Sequence, residues 1–196
     1  PAWKQIESAE PEFAARVREM FADLPDALAR RASKQADSVL TEPGSDAVPD
    51  YYAQDFHFQS GGYLSDQSAR LYDVQVETLF YGVADVMRRQ ALPAIARATA
   101  GRDQRRLALL DVACGTGRFL RQVRLAWPAI GLTGLDLSPA YLAEARRHMG
   151  DLRPAALIEA NAEAIPLPAA SQDIVTCVFL FHELPGDVRR RIAGEM

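Results

Sequence analysis

Cysteine, histidine and long apolar runs are all scarce in this chain. Its two cysteines, Cys114 and Cys177, lie far apart without a CxxC partner, which excludes a disulfide framework. Each falls in or beside an apolar run, so both are expected as reduced thiols of a cytosolic protein. The three histidines, His57, His148 and His182, show no metal-ligand spacing, and HELP at His182 is not HExxH, so no metal is expected. No stretch approaches about 18 uninterrupted apolar residues, and no membrane span is expected. No signal peptide is expected either. Basic charge is not in excess either: 22 Lys and Arg stand against 26 Asp and Glu, for a net charge of −4. That balance makes nucleic acid a poor partner. The short arginine clusters (Arg102, Arg105, Arg106; Arg146, Arg147; Arg189–Arg191) sit beside acidic residues and read as solvated helix ends.

What is present is ordinary globular material. The chain has 196 residues, 48% apolar and 24% charged, which suits one domain with an appendage. Residues 1–100 read as helical and are expected to form a cap. Ser8 is placed to cap a helix beginning near Pro11, with Phe13, Val17, Met20 and Phe21 at helical spacing. Pro25 is expected to start a second helical segment, and Thr41–Asp50 is a loop by composition. The stretch Tyr51–Ser65 then concentrates Tyr51, Tyr52, Phe56, His57, Phe58 and Tyr63 around Gly61-Gly62. It reads either as a segment pinned down by its rings, or as a lid with Tyr51, Tyr52, His57 or Tyr63 facing a ligand. Ser65 caps a further helix. Another helical segment carries Val83, Val86, Met87 and Leu92 before Pro93. The polar run Gly101–Arg106 marks the expected boundary.

From there to the end, residues 101–196, strand and helix patterns alternate. Strands are predicted at Leu107–Ala113, Ile130–Leu135, Ala155–Glu159 and Asp173–Phe181. Helices are predicted at Gly117–Ala126 and at Pro139–Met149, the latter capped by Ser138. Nearly continuous apolar strands alternating with helices imply a parallel sheet covered on both faces: an α/β, Rossmann-like doubly wound fold. Ligands of such sheets sit at the carboxyl ends of the strands. Four features fall there: Asp111 with the Gly115 and Gly117 loop, Asp136 in GLDLSP, Asn161-Ala162-Glu163, and FLFHE over Phe179–Glu183. An acidic residue about 20 positions past the glycines can accept both hydroxyl hydrogens of a ribose. A nicotinamide dinucleotide site would need a third glycine where this chain has Leu120.

On these motifs the chain resembles the class I S-adenosylmethionine-dependent methyltransferases that act on small molecules. DVACGTG is similar to that family's glycine motif, with Ala113 where a first glycine is more usual. GLDLSP is similar to its second motif; the resemblance implies Asp136 on the ribose and Leu137 along the adenine. Asn161 stands where the family usually has Asp, to receive the adenine amino group, with the backbone of Ala162 at the ring edge. Phe179 lies where a main-chain group approaches the methionine part. The resemblance covers roughly residues 107–196; the first hundred residues bear only a loose likeness to the family's helical caps. A sulfonium methyl is already activated, so the protein mainly aligns the reacting atoms, and no nucleophile triad is needed. His182 is the candidate base, or else a structural residue capping the fourth strand, and Asp173 reads as structural.

The family's sheet usually has seven strands and this chain supplies four. The expectation is therefore part of a longer protein, with an apolar edge on the fourth strand covered by a second copy or another partner. Three functions follow in order: methyl transfer from S-adenosylmethionine to a small molecule, a cofactor-binding module without transfer, and a nicotinamide dinucleotide-dependent dehydrogenase.

Overall fold

A computed structural model describes residues 2–33, 48–53 and 62–196, apart from the side chains of 2–13, 30 and 31. His57 and Gly61 lie outside the described residues, as does most of the loop predicted after residue 40. The chain divides into two compact units, Pro1–Gly82 and Val83–Met196.

In the first unit a long helix, α1 (Ala2–Ser33), is followed by α2 (Asp66–Leu79). The break predicted at Pro25 does not occur: α1 runs through both Pro11 and Pro25. Each proline removes one backbone donor, but good helix formers such as Ala, Leu and Arg surround Pro25 and carry the helix past it. Ser65 caps α2 as expected, its hydroxyl accepting from Ser68 N at 3.0 Å. The two helices are joined by Arg70–Glu19 at 2.7 Å and by Arg16 donating to the Arg70 carbonyl at 3.3 Å.

The second unit begins with α3 (Ala84–Arg89) and α4 (Leu92–Thr99). The sequence pattern grouped these helices with the N-terminal segment and ended them at Pro93. Pro93 instead sits in the first turn of α4, where a missing N–H costs nothing. Ile95 of α4 is buried in the same core as Leu109, Phe119, Leu120, Val123 and Ile130. Val86 and Met87 of α3 face solvent, and its buried positions are Ala84 and Arg88.

The rest is a strand–helix alternation: β1 (Ala108–Val112), α5 (Arg118–Ala126), β2 (Gly131–Asp136), α6 (Pro139–Met149), β3 (Ala156–Glu159), β4 (Ile174–Cys177) and α7 (Gly186–Glu195). Among the described residues these strands form one parallel sheet in the order β3-β2-β1-β4. The chain winds outward from β1 to β3 and then crosses back to place β4 on the other side of β1. That reversal is the mark of a doubly wound sheet, and the crevice it opens between β1 and β4 lies at their carboxyl ends. β1 and β2 are buried almost throughout, whereas β3 and β4 at the edges are half-exposed. β4 is shorter than its apolar run predicts: it stops at Cys177 because Phe179 takes a left-handed φ of 68°, and a 3₁₀ turn follows at Phe181–Glu183.

One side chain that fixes the opposite, amino-terminal ends of the strands is absent from the sequence reading. Arg124 of α5 is buried and donates to the carbonyls of Ile130 at 2.7 Å, Pro128 at 3.0 Å and Arg153 at 3.0 Å. A guanidinium with its donors matched to carbonyls can be buried where an unpaired charge cannot. Asp173 is structural too: its carboxylate accepts from Ala108 N at 3.0 Å and pairs with Arg102.

Candidate functional site

The carboxyl ends of β1 and β2 are tied together by their loops. Leaving β1, the chain turns at Ala113, whose φ of 55° is left-handed and disfavoured for any residue with a Cβ. This explains in physical terms why a glycine is the easier choice there. The turn lets Cys114 N donate to the Leu135 carbonyl at 2.9 Å and Gly117 N donate to the Cys114 carbonyl at 3.0 Å.

The two loop glycines are needed for different reasons. Gly117 (φ 74°) faces α6 so closely that a Cβ would lie 2.8 Å from Ala145 Cβ and 2.9 Å from Ala145 Cα. Gly115 (φ 55°) has no such neighbour; a Cβ there would meet only the Tyr141 ring, at 4.0 Å. Gly117 is a packing glycine, whereas at Gly115 a Cβ would make only an ordinary contact among the described residues. The sequence reading also counted Leu120 as a departure from the dinucleotide fingerprint, and the structure supplies its counterpart. The close approach of α5 to the sheet is made by Gly134 of β2, where a Cβ would lie 2.6 Å from Leu120 Cδ1 and 2.8 Å from Cys114 Sγ. The small residue has moved from helix to strand.

Asp136 closes the loop from the other strand. Its Oδ2 accepts from Gly115 N at 2.8 Å and its Oδ1 from Ser138 N at 2.9 Å. Ser138 in turn caps α6, accepting from Tyr141 N at 3.3 Å. The Asp136 carboxyl is buried, which raises its pKa against the lowering effect of those backbone donors. With Gly115, Ser138 and Leu137 as backbone donors, one of the carboxylate's four lone pairs is left for a further partner. Leu137 follows, half-buried. His148 of α6, set aside in the sequence as a metal ligand, supports the loop: its Nδ1 donates to the Thr116 carbonyl at 2.6 Å.

Asp111 is fully buried at the end of β1. Desolvation lifts its carboxyl to about 7, opposed by a 2.8 Å hydrogen bond from Thr176 Oγ1 on β4 and aided by the charge of Asp136. Burial also raises both thiols, Cys114 well above its usual range and Cys177 to about 12, which leaves them protonated and unreactive.

At the end of β3, Asn161 folds back on its own backbone. Its Oδ1 accepts from Glu163 N at 2.9 Å, and Glu163 pairs with Arg191 of α7 at 2.5 Å. Ala162 is buried beside it. At the end of β4, Phe179 lies under the Arg88 guanidinium, whose carbon is 5.5 Å from the ring centroid. His182 is exposed, with Nε2 2.8 Å from Glu183 Oε1. The second unit thus holds Asp111, Ala113, Gly115, Gly117, Asp136, Leu137, Asn161, Ala162, Phe179 and His182 at strand ends or in the loops that follow.

Three tyrosines of the first unit form a group of their own. Tyr52 and Tyr63 have ring centroids 5.9 Å apart, and Tyr63 meets Tyr72 edge-on at 6.0 Å. Tyr51 is half-buried nearby in sequence. Among the described residues no group of His, Cys, Asp and Glu is arranged to hold a metal ion, and no helix is long and apolar enough to cross a membrane.

Comparison with known proteins bears on this unit. Residues 109–196 match the model of a family described as a methyltransferase domain. A ubiquinone/menaquinone biosynthesis C-methyltransferase from Methylobacterium nodulans is 34% identical over 120 residues, covering 60% of this chain and 46% of the relative. A malonyl-[acyl-carrier protein] O-methyltransferase from Legionella pneumophila is 32% identical over 74 residues, 38% of this chain and 26% of the relative. An S-adenosylmethionine-bound amino pentose methyltransferase from Micromonospora echinaspora aligns with a TM-score of 0.47 and 28% identity, over 62% of this chain and 49% of that one. The chain therefore spans less than half the length of these relatives. With its glycine loop, its acid after β2 and its β3-β2-β1-β4 order, the segment 109–196 is thus similar to a methyltransferase domain.

Proposed function

We propose that the chain binds S-adenosylmethionine at the carboxyl ends of β1, β2, β3 and β4 and transfers its methyl group to a small molecule. The observation that carries this reading is the 2.8 Å hydrogen bond from Gly115 N to Asp136 Oδ2, which joins the glycine loop to the acid at the carboxyl ends of β1 and β2. A glycine loop beside a buried carboxylate with a lone pair to spare fits a nucleoside whose ribose lies along the loop.

In this reading Asp136 accepts from the ribose hydroxyls, and Leu137 lies along the adenine. Ala162 offers its backbone to the ring edge, while Asn161 uses the second lone pair of its carbonyl for the adenine amino group. The loop Ala113–Gly117 and the backbone at Phe179 receive the methionine part. Bound there, S-adenosylmethionine supplies a methyl group already activated by a sulfonium charge. The residues around it have to bind, orient and exclude water, which is chemistry by alignment. His182, with Glu183 against its Nε2, takes the proton where the acceptor has one to lose. A cytoplasmic setting suits two free thiols and a buried nucleoside site, and a further copy of the chain is the partner proposed for the β4 edge. With net charge −4, neither nucleic acid nor membrane is part of this account.

Calorimetry separates this from the dehydrogenase reading. S-adenosylhomocysteine is expected to titrate with a single saturable site on the 196-residue chain, and NAD is expected to give no heat above dilution. Saturable NAD binding with no response to S-adenosylhomocysteine would reverse the assignment.

A further inference from the structure

The two loops that flank the β1–β4 crevice are connected by a network of charge that the site as described does not use. Its centre is Asp85 of α3. Asp85 Oδ2 pairs with Arg118 Nη2 at 2.8 Å, and Asp85 Oδ1 with Arg88 Nη1 at 2.9 Å; Arg118 Nε reaches Oδ1 as well, at 3.4 Å. Gln122 of α5 adds a contact to the Asp85 carbonyl at 3.4 Å.

Each guanidinium ends on a different wall of the crevice. Arg118 is the first residue of α5, directly after Gly117, so it holds the exit of the glycine loop. Arg88 reaches the far wall, where its guanidinium carbon stands 5.5 Å from the Phe179 ring centroid. Phe179 keeps a left-handed φ of 68°, a conformation that persists only where the surroundings hold it. The Arg88 side chain is only 6% exposed, so its interactions with both the carboxylate and the ring are little screened by water. One carboxylate thus fixes the end of β1 and the end of β4 together.

We infer that Asp85 is a positioning residue for the methyl donor: through Arg118 and Arg88 it sets the spacing of the glycine loop and the Phe179 turn across the β1–β4 crevice. It touches no reacting atom in this role. The inference rests on the S-adenosylmethionine reading of the site. Asp85 and Phe179 are then energetically coupled, although the contact between them runs through Arg88. Cutting the tie at either end then releases the same wall, and a second cut adds little.

The test is a double-mutant cycle read by S-adenosylhomocysteine affinity on the full chain. Asp85→Asn and Phe179→Leu are each expected to weaken binding about tenfold, and the double variant far less than the hundredfold product. Asp85→Glu, which restores the charge, is expected to recover part of the loss. Thermal unfolding of each variant shows that the comparison is between folded proteins. Where Asp85→Asn lacks a cooperative transition, Arg118→Gln with Phe179→Leu runs the same cycle and is expected to be equally sub-multiplicative. Wild-type affinity in Asp85→Asn, or strictly multiplicative losses, would overturn the inference while leaving the site assignment standing. Absence of S-adenosylhomocysteine binding by the unmodified chain would overturn the site assignment and the inference with it.

Discussion

Gly117→Ala is expected to lower the unfolding free energy by about 3 kcal/mol or more, whereas Gly115→Ala lowers it by about 1–2 kcal/mol and removes ligand binding instead. Both positions are left-handed, so any Cβ carries the conformational cost. At Gly117 the new methyl also meets Ala145 at 2.8–2.9 Å, and one of the atoms it meets is the α6 main chain, which cannot swing aside. At Gly115 the methyl meets nothing nearer than the Tyr141 ring at 4.0 Å. The two variants therefore separate glycine for packing from glycine for ligand. Urea unfolding checks the first effect and S-adenosylhomocysteine titration the second. If Gly115→Ala kept full affinity, the cofactor would not lie against that residue.

The second large effect is on pH. Asp111 ionises near 3.8 as an ordinary carboxyl but near 7 in the folded protein, because burial disfavours its charge. Between those values the folded state holds a proton that the unfolded chain has released, so stability falls as pH rises. The contribution of the neutral carboxyl is complete below about pH 4 and is lost as pH passes through about 7. Over that window the decline is about 4 kcal/mol. Asp136 is shifted in the same direction and adds to the slope. Asp111→Asn keeps the hydrogen bond to Thr176 without a titrating group and is expected to flatten the profile. Urea midpoints at pH 5 and pH 8 read this out: wild type less stable at the higher pH, Asp111→Asn much less changed. Equal slopes in the two proteins would assign the pH dependence elsewhere.

What the sequence made legible is what depends on near neighbours. The run from Leu107 to Leu120 encodes strand, turn and helix within a few residues, and Ser65 and Ser138 announce their helices through their own hydroxyls. The parallel sheet follows from alternation, and the strand-end positions of Asp111, Asp136 and Asn161 follow from the strand limits. What stayed hidden was set by contacts distant in sequence. Arg124 is buried while its neighbour Leu125 is exposed, an inversion of hydrophobic patterning that makes sense only once four carbonyls surround the guanidinium. Gly134 lies in an ordinary strand pattern, and only the opposing Leu120 and Cys114 explain it. His148 looked idle until Thr116 was found beneath it. The end of β4 was overrun because VTCVFLF has no local stop signal; the turn is imposed at Phe179, beneath Arg88. Likewise α3 and α4 pack with the sheet through Ile95 and Arg88, residues whose partners lie beyond the polar break.

The most direct measurement sets the hydroxyls of the ligand against Asp136. Removing the carboxylate alone is ambiguous, since it also deprives Gly115 N and Ser138 N of their acceptor. Comparing S-adenosylhomocysteine with an analogue lacking both ribose hydroxyls, in wild type and in Asp136→Ala, isolates the contact. Hydrogen bonds to a buried carboxylate predict that wild type prefers the natural ligand by on the order of thirtyfold, and that Asp136→Ala binds the two ligands about equally. The same preference in both proteins would place the ribose away from Asp136 and contradict the site.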